Sequence, residues 1–184
     1  MRTVIVSLLT CAALALAAEP APPRPSPPFS ILRADAQPLA LASFRGKVVA
    51  LVFILTGCSH CQDFTRALVP IANEYAPRGV QFLECAVNSD AAGTVEGFVQ
   101  QFQPPFPVGF NTQAAVDEYL RRSILLTFYV PHAVFLDRNG MIVGDFEGAS
   151  DFMKNPAENT RKLLDQMLAV KVPAGKKAAV GTRP

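Results

Sequence analysis

The chain has no tryptophan, two histidines and four cysteines among 184 residues. The shortage of cysteine already limits what it can be. Cys11 falls in a leader expected to be removed, which leaves Cys58, Cys61 and Cys85, an odd number too small for a scaffold held by several disulfides. A second Cys-x-x-Cys is missing, so a closed four-ligand zinc site is excluded. Gln62 stands where covalent haem attachment would require histidine. Charge is sparse as well: 17 basic and 15 acidic residues leave a formal +2, about +1 once Arg2 is gone, and nothing there suits a nucleic-acid partner. The uncharged N-terminal run, Thr3 to Ala18, falls short of the roughly 20 residues a membrane-spanning helix needs. No internal repeat is visible.

Arg2, that run, and the small residues Ala15-Leu16-Ala17-Ala18 before Glu19 read as a secretory signal peptide cleaved after Ala17 or Ala18. Thr10 before Cys11 argues against a lipid-anchored form. The expected organisation is a signal peptide over 1–18, a proline-rich linker over 19–28, one α/β domain over 29–170, and a polar, disordered tail over 171–184. Six prolines between Glu19 and Pro28 make the linker an extended tether.

What the chain does have is Cys58-Ser59-His60-Cys61. The apolar run Val48 to Leu55 ahead of it has strand length, Thr56-Gly57 supplies a turn, and Phe64, Ala67, Leu68, Ile71, Ala72 and Tyr75 recur at helical spacing behind it. Two thiols three positions apart at the mouth of a helix can open and close a disulfide without moving the backbone. Cys58 near the first turn, where free N–H groups favour a thiolate, is the expected nucleophile. Pro70 within the helical pattern should bend or interrupt it.

Val80 to Val87 reads as a second apolar strand, in which Cys85 is an inert buried thiol or, alternatively, a resolving or regulatory one. Val95, Phe98, Val99 and Phe102 mark a short helix stopped by Pro104-Pro105, so strand and helix alternate as in a parallel sheet. A short strand is expected over Phe106 to Phe110 and a helix over Ala114 to Arg122. Ala133 to Asp137, the turn Arg138-Asn139-Gly140 and Met141 to Phe146 spell an antiparallel hairpin, and Leu163, Leu164, Met167 and Leu168 give one face of a closing helix.

In that order, with Arg45-Gly46-Lys47-Val48-Val49, Gly79-Val80, Phe106-Pro107-Val108, Val130-Pro131 and Phe135 to Gly140, the region from Phe29 to Leu168 resembles the thioredoxin fold, and more narrowly the exported thiol–disulfide reductases of the TlpA/ResA type. The resemblance implies a central mixed β-sheet flanked by helices and a cis proline at Pro131 facing the dithiol. It further implies a substrate loop of Val130, Pro131 and His132, with Pro131 keeping metal off the thiols. Protein thiols or disulfides would be the substrates, a membrane thiol-electron transporter the redox partner, the chain a monomer, and no cofactor would be needed. The chain departs from the pattern in several places. Gly57 replaces the tryptophan before the first cysteine, Phe64 replaces an acidic residue three places after the second, with Asp63 pointing elsewhere, and Val130 replaces threonine. Val52 occupies the place of thioredoxin's buried aspartate, so no proton acceptor is identified.

In the implied chemistry Cys58 attacks and Cys61 resolves, while Ser59 and His60 tune the thiolate. Cys-x-His-Cys is similar to the oxidase DsbA, and a protonated His60 would set the potential between about −270 mV, as in thioredoxin, and about −120 mV, as in DsbA. The alternative reading of His60 is an exposed loop histidine, and His132 is read either as a neighbour of the dithiol or as a hydrogen-bonded strand-edge residue. A rival of another class is a copper-binding module, with Cys58, Cys61 and His132 as soft and imidazole ligands. A peroxidase is disfavoured because Leu55 stands where a threonine would activate the cysteine.

Overall fold

The computed structural model describes residues 23–35 and 37–170. The expectations for 1–18 and 171–184, and the start of the linker, lie outside them. The strands are β1 (Arg24–Pro25), β2 (Ser30–Leu32), β3 (Pro38–Ala40), β4 (Val48–Ile54), β5 (Val80–Ala86), β6 (Val108–Phe110), β7 (His132–Leu136) and β8 (Met141–Phe146). The helices are α1 (Ser59–Tyr75), α2 (Ala91–Phe102), α3 (Gln113–Leu120) and α4 (Pro156–Ala169). The strands form one sheet in the order β1-β8-β7-β4-β5-β6-β2-β3. The β4, β5 and β6 strands are parallel, and every other pairing is antiparallel. The mixed sheet expected from the resemblance is therefore present, with parallel pairing confined to its centre.

β4 is buried at every residue because it has a strand on each side and a packed layer on each face. That double burial is why its sequence is continuously apolar rather than alternating. Period-two geometry divides its side chains: Val48, Ala50, Val52 and Ile54 join α1, α2 and α4 on one face, and Val49, Leu51 and Phe53 join α3 on the other.

α1 runs through Pro70 without interruption. A mid-helix proline costs about 3 kcal/mol or more. Here it is exposed, while neighbouring Leu68, Ile71 and Ala72 are buried, each large apolar side chain contributing about 1.5–3 kcal/mol. Packing wins over the local break. The hairpin between β7 and β8 turns as its Asn-Gly dipeptide suggests. Asp137 Oδ1 accepts from the Asn139 and Met141 N–H groups, and Gly140 takes φ +72°, where a Cβ would collide with the Arg45 guanidinium.

Part of the expected tether is built into the domain. Arg24 and Pro25 pair with Ile142 and Met141, the Ser26 N–H donates to Gly140 O at 3.0 Å, and the Ser26 and Tyr119 hydroxyls lie 3.1 Å apart. Proline suits this place because an edge strand leaves one row of N–H groups unused.

Candidate active site

β4 delivers the chain to Thr56-Gly57, and α1 starts immediately after. Thr56 is fixed from β5's far end: its N–H donates to Asn88 Oδ1 at 3.1 Å, and Gln62 returns a bond to the Thr56 carbonyl at 2.9 Å. Cys58 is the residue that caps α1, half-buried, with extended backbone; its carbonyl accepts from the Gln62 N–H at 3.0 Å. Cys61, one turn on, is fully buried. Both thiols are free. Burial pushes the Cys61 thiol well up, and the nearby Cys58 and Glu84 add to that, against a hydrogen bond from the Leu55 backbone. The pair is thus unequal, one sulfur reachable from solvent and one enclosed.

The Val130–Pro131 bond is cis, as the resemblance implies. Val130 and Pro131 line a groove together with His60, Asp63, Phe64, Gly148, Met153 and Pro156. Val130 and Cys58 pack against the same core cluster. Ser59 and His60 lie on the first turn of α1, His60 exposed. Leading into Val130 is an apolar rim: Ile124, Leu125, Leu126 and Tyr129 are 80%, 90%, 65% and 49% exposed. Arg122 holds this loop, donating to Asp117 at 2.5 Å and to the Leu126 and Thr127 carbonyls at 2.7 and 2.8 Å, with its guanidinium 4.8 Å from the Phe128 ring centre.

His132 does not join the dithiol. Its backbone follows Pro131, but its side chain takes the β7 parity of Val134 and Leu136, opposite to α1. There it stacks on Phe128 at 5.5 Å, meets Phe53 at 6.3 Å, and lies 2.6 Å from Asp145 through Nε2. The strand-edge reading of His132 describes its surroundings; its expected place in the substrate loop is corrected to the far face of the sheet. The copper ligand set of Cys58, Cys61 and His132 fails for the same reason, and among the described residues no three His, Cys, Asp or Glu side chains come together to hold a metal. Cys85, fully buried, also lies on the far face, so a resolving role toward Cys58 has no path.

Two residues that sequence reasoning passed over complete the site. Glu84 is completely buried in β5, registered between Val52 of β4 and Val108 of β6. A buried carboxyl thus stands beside Val52, on the adjacent strand. Thr65 Oγ1 lies 2.9 Å from Glu84 Oε1 and 3.0 Å from the Cys61 carbonyl oxygen, while Glu84 Oε2 has no partner among the described residues. Burial pushes the Glu84 carboxyl up to about 8, with the Thr65 hydrogen bond opposing. A signal was present in the sequence: an acidic residue inside a strand that is apolar apart from Gln81 near its start.

The Redoxin family model matches residues 21–163. Among curated proteins, the thiol-disulfide oxidoreductases ResA of Bacillus thuringiensis subsp. konkukian and of Bacillus cereus are each 25% identical over 147 residues, 78% of this chain and 74% of theirs. Among solved structures, a thiol:disulfide interchange protein of the thioredoxin family from Chlorobium tepidum superposes with a TM-score of 0.63 at 24% identity, covering 78% of this chain and 98% of that one. A thiol:disulfide interchange protein from Bacteroides sp. gives 0.61 at 17% identity, covering 78% and 90%. These structural likenesses establish the thioredoxin-like fold.

Proposed function

The chain belongs to the Redoxin family, and from that premise we propose that it is a protein thiol–disulfide oxidoreductase working through Cys58 and Cys61. The observation that carries this reading is the unequal pair: a half-buried Cys58 at the start of α1 with an enclosed Cys61 one turn behind it. Cys58 attacks a substrate sulfur to form a mixed disulfide, and Cys61 then expels the substrate by closing the Cys58–Cys61 bond. Ser59 and His60 border the attacking sulfur and tune it. Val130 and Pro131 form the wall against which the substrate backbone lies. The exposed rim of Ile124, Leu125, Leu126 and Tyr129 favours a polypeptide over a small thiol, because it offers apolar area that only a chain segment can cover. The names of the ResA relatives support the same reaction class.

The leader read over residues 1–18 puts the domain in an exported, oxidising compartment, where a dithiol needs a source or sink of electrons such as a membrane thiol transporter. No helix among the described residues is long and apolar enough to cross a membrane. The deciding experiment equilibrates the protein in a glutathione buffer series and identifies the linked thiols by mass spectrometry. A reversible two-electron couple confined to Cys58 and Cys61, lost in Cys58→Ser, is the expected result. Absence of a reversible couple sinks the reading.

A further inference from the structure

The Thr65 hydroxyl stands within hydrogen-bond distance of two oxygens but has one proton to donate. The Cys61 carbonyl can only accept. If Thr65 donates to it, the contact with Glu84 is satisfied only when Glu84 is a carboxylic acid that donates its own O–H to Thr65 Oγ1. If Glu84 is ionised, Thr65 must turn its proton to the carboxylate and release the Cys61 carbonyl. Proton counting thus ties the charge of Glu84 to the hydrogen bonding of the Cys61 backbone carbonyl.

We propose that Glu84 is the proton acceptor and donor for the Cys61 thiol, with Thr65 bridging the carboxyl to the Cys61 backbone carbonyl and so holding it beside that residue; this rests on the exchange reaction proposed above. The surroundings leave little competition. The groups packed on this face from β4, β5, β6 and α2 are Val52, Phe82, Ala86, Val108, Val95 and Phe98, all apolar. The titratable group of α1 that feels Glu84 is Cys61, which is itself next to Cys58. His60 and Arg66 are exposed on α1, Asp63 lies at its groove-facing edge, and Tyr75 lies about 15 Å further along the helix from Thr65. Glu84 Oε2 is buried and has no partner among the described residues, so no second hydrogen bond holds the carboxyl in its charged form. The raised position of this carboxyl, about 8, lets both of its forms be populated near neutral pH.

In the resolving step Cys61 gives its proton to the Glu84 carboxylate and attacks the Cys58 sulfur of the mixed disulfide. The Cys58–Cys61 bond forms, the bond between Cys58 and the partner sulfur breaks, and the partner leaves as a thiolate carrying the electron pair. The dithiol is oxidised by two electrons and the partner reduced by two. In reverse, an incoming thiolate attacks Cys58, Cys61 departs as a thiolate, and the Glu84 acid returns its proton to it.

The test uses the full-length protein carrying a Cys58–glutathione mixed disulfide and follows glutathione release in a single turnover from about pH 5 to about pH 9.5. Release by the wild type should rise through an ionisation near 8. Glu84→Gln keeps a partner for Thr65 but cannot take a proton, so it should lose that inflection and slow release about 10²-fold; Glu84→Asp should restore the inflection. If exchange requires Cys58 but Glu84→Gln releases glutathione with the wild-type rate and pH profile, this inference alone is overturned. If Cys58→Ser exchanges as well as the wild type, the dithiol reading itself falls. Should Glu84→Gln not fold, infrared difference spectra of the wild type decide: a carboxylic-acid band that shifts between dithiol and disulfide supports the assignment, and one that does not overturns it.

Discussion

Glu84 and Asp145 lie on opposite faces of one sheet, and the contrast between them separates a poised carboxyl from a quiet one. Asp145 is partly exposed and faces two nitrogen donors, His132 at 2.6 Å and Arg24 at 3.0 Å. Burial pushes its carboxyl up, but those two partners outweigh it and hold it below the usual range. Glu84 is more deeply buried, faces no cation among the described residues, and meets a single hydroxyl. The same functional group therefore stays charged and structural on one face and rests near its titration point on the other. Burial without a counter-ion is what makes the difference.

The largest test of this contrast is the pH dependence of stability. Glu84 binds its proton more tightly folded than unfolded, so the folded state holds more protons between about pH 4.5 and about pH 8, and stability falls as pH rises through that window. Each tenfold difference in proton affinity between the folded and unfolded chain is worth about 1.4 kcal/mol, so the loss across the window is on the order of 4–5 kcal/mol. Urea unfolding of the wild type at both ends of the window, compared with Glu84→Gln, should show the slope only in the wild type. An equal slope in both proteins would mean that Glu84 ionises normally.

Thr65→Val should come next in size. It removes the one hydrogen bond of Glu84 Oε1, leaving a second unpaired buried oxygen, and should cost about 1–3 kcal/mol at about pH 6. Because the Thr65 bond opposes the effect of burial, its loss should also move the Glu84 titration further up. An NMR titration of the Glu84 side-chain carbon reads that direction, and a downward move would contradict the geometry described.

Asp145→Asn should have the smallest effect and the opposite sign. A carboxyl held low contributes stability above its unfolded value, and that contribution is lost as pH falls through the folded one. With the Asp145 side chain 34% exposed, screening limits the contribution to about 1 kcal/mol, seen at neutral pH and absent in strong acid. A larger deficit, persisting in strong acid, would point to packing of His132 rather than to charge.

How far these features could be read from the sequence follows from whether each is local. Strand, turn, dithiol and helix are contiguous, so Val48 to Tyr75 carries its own pattern, and Asn139-Gly140 encodes its hairpin within a few residues. Glu84 opposite Val52 depends on strand register, a pairing of distant residues that periodicity does not specify. The side of the sheet taken by His132 depends on the phase of β7, and one residue of slip would have sent it to the dithiol. Arg24–Pro25 was hidden by composition, because two residues on an edge strand need no apolar alternation to pair. Helix continuity through Pro70 reflects tertiary packing that overrides a local breaker.

Cys85 gives the molecule an internal stopwatch. Its sulfur is enclosed on the far side of the sheet, and burial holds its thiol protonated, so an alkylating reagent reaches it only when the strands come apart. Cys58, half-buried at the head of α1, is available without such an opening. In the disulfide form, where Cys58 and Cys61 are linked, a time course of intact mass therefore follows Cys85 alone, and its rate, divided by that of a free thiol, is the equilibrium constant for opening the sheet; in the dithiol form an early increment at Cys58 is added and the enclosed Cys61 joins the slow phase.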